Sequence, residues 1–312
     1  MIKKHKSVLL KESIKSLNII PNGIYIDCTF GGGGHSEKIL EKLNSKGKLY
    51  AIDKDLKAVK YGEKKIKDNR FKIIHLSFSK LIKYIKKKKM LGLINGIIID
   101  LGISSIQLND PKRGFSFIKK GPLDMRIDNS NKNNINARQW LSKSNQKSIE
   151  LVLRKYGEER FSKKIAKLIF NYKKKKDIKN TLELSKIIKN NIFLRKRNKH
   201  PATKTFQAIR IFINQELKEL KSILNHSLKI LKKKGRLTII SFHSLEDKIV
   251  KKFINKFSGK ISIPNKLPLT EIQINSIRKK KIKIISKIFP SVHEKQKNRS
   301  SRSAIMRTIE KK

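Results

Sequence analysis

Tyr25-Ile26-Asp27-Cys28-Thr29-Phe30-Gly31-Gly32-Gly33-Gly34-His35-Ser36 is the stretch whose reading decides the fold. A short strand-forming run ends on a carboxylate, passes through four consecutive glycines and resumes as a helix over 36–44. Backbone without Cβ atoms reaches φ > 0 and lets a ligand come close, and the helix start behind it offers unpaired N–H groups. The pattern predicts a ligand loop at the tip of a parallel strand.

Two further strands sharpen this. Lys48-Leu49-Tyr50-Ala51-Ile52-Asp53 ends in an acid about 20 residues past the glycines, where ribose hydroxyls are commonly bound. Gly96-Ile97-Ile98-Ile99-Asp100-Leu101-Gly102 is apolar on both faces and is again closed by an aspartate. Three carboxylates at one sheet edge suit a hydroxyl-rich, positively charged ligand. S-adenosylmethionine, with its ribose, ammonium and sulfonium, fits. A nicotinamide dinucleotide fits less well, because its pyrophosphate would face Asp27. The plainer alternative is a tight turn with helix-capping acids.

Composition narrows the classes. The apolar runs are too short to span a bilayer, and the N-terminal stretch has basic residues but no apolar core of an export signal. The single cysteine, Cys28, suits a reducing compartment, so a soluble cytoplasmic protein is expected. A formal charge of +53 points to a polyanionic partner. Only 14 of the 77 basic residues are arginine, and Asn and Ile abound, so part of that charge reads as compositional drift.

Along the chain, strands are expected at 24–27, 48–53, 72–76 and 96–101, alternating with helices at 36–44, 55–66 and 79–89, the signature of a parallel α/β sheet. Between 111 and 201 only helical periodicity appears, at 138–142, 147–156, 159–172 and 182–191. A long helix is expected over 203–233, then a strand over 235–242 and a terminal β-pair at 281–286 and 303–309. The simplest architecture is a sheet domain in two parts, 1–110 and 203–312, interrupted by a helical insertion at 111–202. The lysine runs at 86–89, 173–176, 232–234 and 279–281 read as solvated helix ends.

Four more segments carry chemistry: 100–107 after a central strand, 113–126 rich in Gly, Pro, Arg and aromatics, 200–210, and 241–248. Each has a structural reading too. Ser244-Leu245-Glu246-Asp247 can be an N-cap with an acid at N3. His200 and His243 can be loop histidines, and Arg113 and Arg126 ion-paired structural residues. Phe115 and Phe117 either pack under the loop or stack on a base. The seven histidines and one cysteine show no metal-ligand spacing, so no metal is expected.

Taken in order, these motifs, together with His5, Val8 to Glu12, Tyr156 to Glu159 and Asn298 to Ser303, resemble the RsmH (MraW) family of ribosomal RNA small-subunit methyltransferases nearly end to end. The resemblance implies a Rossmann-like class I methyltransferase sheet with an all-helical insertion. It implies S-adenosylmethionine as cofactor and N4 methylation of a cytosine in the decoding region of 16S rRNA, on an assembled or nearly assembled small subunit. Carried over by position, the cofactor contacts would be Gly33, Gly34, His35, Asp53, Phe78, Asp100 and Gln107, with Asp27 added as an orienter of the ammonium group. The family does not decide between monomer and homodimer here.

The exocyclic amine gains acidity as it attacks a methyl group, so an acceptor for its N–H is needed just after Asp100. Ser104 and Ser105 are the first candidates, with Asp124 and His243 second. Arg113, Arg126 and Arg210 are the candidate rRNA contacts, because a guanidinium can fork onto phosphate. Cys28 lies beside the cofactor strand and is the only cysteine, which argues against C5 chemistry. The rivals are a dinucleotide oxidoreductase, a methyltransferase acting on DNA or protein, and a non-catalytic ribosome-assembly factor.

Overall fold

The computed structural model describes residues 7–131, 133–192, 200–259 and 280–312. His5 and Lys279 lie outside the described residues, as does the Ser105 side chain. The chain forms two compact units, one of Met1–Gly102 with Leu217–Lys312 and one of Ile103–Glu216.

In the first unit the strands are β1 (Ile24–Asp27), β2 (Lys48–Asp53), β3 (Phe71–His75), β4 (Ile94–Asp100), β5 (Leu231–Ser241), β6 (Ile282–Ile288) and β7 (Ile305–Lys311). They form one sheet in the order β3-β2-β1-β4-β5-β7-β6, the Rossmann-like arrangement expected. β1 to β5 pair in parallel, and β7 runs antiparallel between β5 and β6. Ile97, Ile98 and Ile99 are all buried, which is why β4 reads as an unbroken apolar run: both its faces are covered. Ile97 and Ile99 belong to a core with Leu220, Leu224, Val250 and Phe253. Ile98 joins Leu17, Ile39 and Leu49 on the other face. The helices are α1 (Leu10–Leu17), α2 (Gly34–Leu40), α3 (Leu56–Lys65), α4 (Phe78–Lys87), α11 (Glu216–Ile230, its first residue in the helical unit), α12 (Ser244–Phe257) and α13 (Val292–Lys297).

The helical unit contains α5 (Ser105–Asn109), α6 (Ala137–Lys143), α7 (Gln146–Gly157), α8 (Ser162–Lys175), α9 (Thr181–Lys189) and α10 (Thr203–Asn214). Its own core includes Trp140, Leu153, Ile169, Leu184, Phe206 and Ile209. The unit is wider than the 111–202 read from the sequence, because α10 packs along α7 and Ile103 packs against the same core.

Three local expectations are corrected. The long helix over 203–233 is two helices, broken at Gln215 with φ 53°. Asn214 is buried there: its amide donates to the carbonyls of Met125 (2.7 Å) and Arg210 (2.9 Å), and its Oδ1 accepts the Ile127 N–H (2.7 Å). Lys232 to Lys234 lie exposed within β5 rather than at a helix end, where the β4–β5 register slips between Ile94 and Gly96. The 173–176 run does close α8, but Lys173 folds back onto the carbonyls of Leu141, Ser142 and Ser144, and burial lowers its pKa.

Candidate functional site

The carboxyl ends of β2, β1 and β4 are neighbours in the sheet, so Asp53, Asp27 and Asp100 converge on one edge at the point where strand order reverses. Asp27 is 1% exposed. Its Oδ2 accepts the Ser36 hydroxyl at 2.7 Å and its Oδ1 the Thr29 N–H at 3.0 Å. Burial pushes its pKa up to about 6 in spite of those bonds. Asp53 accepts the N–H of Gly31 (2.9 Å) and of Asp55 (2.8 Å), tying the glycine loop to the second strand. Burial pushes it, too, up to about 6, and the charges of Asp55 and Asp27 act in the same direction.

Asp100 differs from both. Its backbone N–H is held by the Thr29 hydroxyl at 2.7 Å, but its Oδ1 is buried with no hydrogen-bond partner. Its Oδ2 lies 3.8 Å from His35 Nδ1. Burial raises its pKa well above the carboxylate range, and Asp27, Glu246 and Glu294 push the same way. An orphaned oxygen on one edge with buried Asp27 and half-buried Asp53 is a place that a cation would stabilise.

The glycines are held by the protein itself. Gly31 and Gly33 have φ 54° and 83°. A Cβ on Gly33 would meet the Phe30 ring at 2.7 Å, and one on Gly34 would fall on the Ser7 hydroxyl. Lys65 Nζ donates to the Gly32 carbonyl at 3.0 Å. Phe78 opens α4 just beyond β3, half-buried against the sheet core, two residues after Leu76 donates to the Asp53 carbonyl. His243 follows β5 and is itself the N-cap of α12, one residue earlier than the sequence suggested. Glu246 at N3 accepts the Phe242 N–H (2.8 Å), and its Oε1 lies 3.1 Å from His243 Nε2.

The other candidates belong to the helical unit. Ser104 and Gln107 form a capping box on α5: Ser104 Oγ accepts the Gln107 N–H (3.2 Å) and Gln107 Oε1 accepts the Ser104 N–H (3.0 Å). Arg126 grips both oxygens of Asp124 at 2.8 Å and donates to the carbonyls of Asn131 and Asn134. Arg113 is buried and donates to the carbonyls of Arg126 (3.1 Å) and Ile127 (2.5 Å). Arg210 forks onto Glu216 at 2.9 and 2.8 Å. Phe115 is buried in the helical core, while Phe117 stacks on His200 with centroids 4.8 Å apart.

The family model described as the MraW methylase family matches residues 2–312. The chain belongs to the MraW methylase family. It is 59% identical over 306 residues to the ribosomal RNA small subunit methyltransferase H of Buchnera aphidicola from Cinara cedri, covering 98% of this chain and 99% of that one. To its namesake from the Schizaphis graminum strain it is 54% identical over 309 residues, covering 99% and 98%. A solved rRNA methylase of Streptococcus thermophilus aligns over 100% of this chain and 98% of that one, at 13% identity and a TM-score of 0.38.

Sequence reasoning about this MraW methylase missed several participants. Thr29 and Ser36 support the acids, and Thr29 was within reach as the hydroxyl that follows a strand-ending carboxylate. Glu294 and Ser7 were not, since their partners are fixed only by the fold. No helix among the described residues is long and apolar enough to cross a membrane.

Proposed function

We propose that the edge formed by Asp27, Asp53 and Asp100 binds S-adenosylmethionine, and that the enzyme uses it to methylate the N4 amine of a cytosine in small-subunit 16S rRNA. The observation that carries this reading is the buried, unpartnered Oδ1 of Asp100 on the same sheet edge as Asp27 and Asp53, whose pKa values are raised. Such an edge attracts a cation and repels the pyrophosphate of a dinucleotide. When bound, the cofactor supplies an electrophilic methyl group.

The chain's residues do the rest. Asp53 accepts the ribose hydroxyls in charge-assisted bonds. Asp27 and Asp100 hold the positive end, Gly33, Gly34 and His35 line the loop beside it and Phe78 flanks the base, with Gln107 assigned to the set on the family resemblance. The amine of cytosine is a weak nucleophile because its lone pair is delocalised into the ring. An acceptor for one N–H returns that lone pair to nitrogen and takes the proton as the new bond forms. Ser104 and Ser105, next along the chain from Asp100, are assigned this role first, with Asp124 and His243 as alternates. Arg113, Arg126 and Arg210 serve the substrate by fixing the loop around 113–127 and the end of α10, since each is already engaged within its unit.

The relatives' names carry the RNA assignment: both are small-subunit rRNA methyltransferases. The test is incubation with methyl-labelled S-adenosylmethionine and unmodified small subunits, followed by digestion of the rRNA to nucleosides. Label in N4-methylcytidine is expected. Label at C5, or none with cofactor binding intact, overturns the assignment.

A further inference from the structure

The glycine loop is walled by a part of the chain far from it in sequence. Leu9 is the N-cap of α1 in the left-handed region, at φ 52° and ψ 36°, with no side-chain cap. A non-glycine residue keeps that conformation only where its surroundings impose it. Two contacts do so here. The Leu9 side chain is buried with Val8, Ile240, Ala304 and Met306, and the Leu9 N–H donates to Glu294 Oε1 at 2.8 Å across 285 residues. Glu294 is the third residue of α13, whose own N–H is accepted by Ser291 Oγ at 3.1 Å. It stands close enough to the acidic edge for its charge to be felt at Asp100. Two residues before Leu9, Ser7 lies directly against Gly34, where an added Cβ would meet its hydroxyl and come within 3.3 Å of its Cβ.

We propose that Glu294 is a positioning residue for the cofactor loop: by holding Leu9 it keeps residues 7–9 pressed on Gly34 as one wall of the binding site. This rests on the S-adenosylmethionine reading above. Glu294 acts as an acceptor rather than as a charge, so an amide in its place suffices. Gly34 is then glycine because the wall stands against it, and the left-handed start of α1 is the bend that turns the chain from the wall into the helix.

The experiment compares Glu294→Ala and Glu294→Gln in the full chain, by calorimetric titration with S-adenosylmethionine and by steady-state methylation of small subunits. The alanine variant is expected to raise Kd and KM for the cofactor about tenfold, the upper worth of one ordinary hydrogen bond, with kcat at saturating cofactor unchanged. The glutamine variant keeps an oxygen for the Leu9 N–H and is expected within twofold of the wild type. An alanine variant that binds normally, or a glutamine variant as weak as alanine, overturns the proposal. Should the alanine variant fail to fold, hydrogen exchange of the wild type decides: the cofactor must slow exchange in the segment from Ser7 to Glu12 as well as in the glycine loop. Protection confined to the loop overturns the proposal. Wild-type protein that binds no S-adenosylmethionine overturns the cofactor reading together with this one, whereas the variant pattern tests the wall alone.

Discussion

The two units treat charge in opposite ways. In the helical unit each charged candidate has a matched partner: Arg126 closes on Asp124, Arg210 on Glu216, and Arg113 is spent on two carbonyls. In the sheet unit, buried Asp27 and half-buried Asp53 and Asp100 share one edge with no lysine or arginine ion pair among the described residues, and Asp100 keeps one oxygen without a hydrogen bond. Paired charges hold a shape. Acids crowded on a desolvated edge store a cost that a cationic ligand relieves, which is why the acidic edge reads as the binding site and the arginines as framework.

That contrast can be broken, and the largest effect belongs to the edge. Asp53→Ala removes the anchor of the Gly31 N–H together with the proposed ribose acceptor, and is expected to weaken S-adenosylmethionine at least 100-fold by calorimetry, on the order of two charge-assisted bonds. Arg126→Ala should instead cost the helical unit about 3 kcal/mol in a urea titration, by leaving Asp124 partly buried and unpaired, while cofactor affinity holds. A comparable loss of affinity would erase the distinction between the units.

Asp27→Asn sharpens the comparison from the other side. It removes a buried charge, so at pH 8 the ligand-free variant should melt a few degrees higher, at roughly 2–4 °C per kcal/mol, yet bind cofactor more weakly. An unchanged or lower Tm would mean that the carboxylate is not held at a cost.

The pH dependence follows with its sign. Asp27 and Asp53 have folded values of about 6 against an ordinary 3.8. Between those values the folded protein holds protons that the unfolded chain has released, so ligand-free stability falls as pH rises through that window and levels off above it. Affinity for a cationic ligand moves the opposite way, rising through about pH 6 and then levelling off. Titrations in buffers of different ionisation enthalpy should register proton release near pH 6. The smallest effect is expected from Ser104→Ala, about 1 kcal/mol from the lost α5 cap. A near-normal methyl-transfer rate at saturating cofactor would remove Ser104 as proton acceptor.

Much of the sheet was legible because its signals are local. A parallel strand covered on both faces must be apolar throughout, and the acids at 27, 53 and 100 mark its ends. What stayed hidden depended on distant partners. The break at Gln215 comes from an Asn214 side chain that bonds to Met125 and Ile127. Helix α1 starts on a left-handed leucine held by Glu294, with no Ser, Thr, Asp or Asn to announce it. The capping box of α12 uses a histidine, which moved the expected start by one residue. At the site, positions were readable but occupancy was not: nothing in the sequence says that Asp53 already holds Gly31, or that Arg113 is buried.

The placement of the helical unit between β4 and β5 sets a timetable for synthesis. β4 ends at Asp100 and its neighbour β5 begins at Leu231. At about 5–20 residues per second, a nascent chain carries an open sheet edge for roughly 7–26 s before the ribosome delivers the strand that covers it. The helical unit, whose core draws only on residues between Ile103 and Ile213, emerges whole within that interval. The inserted unit is therefore complete before β5, β7 and β6 extend the sheet beyond β4.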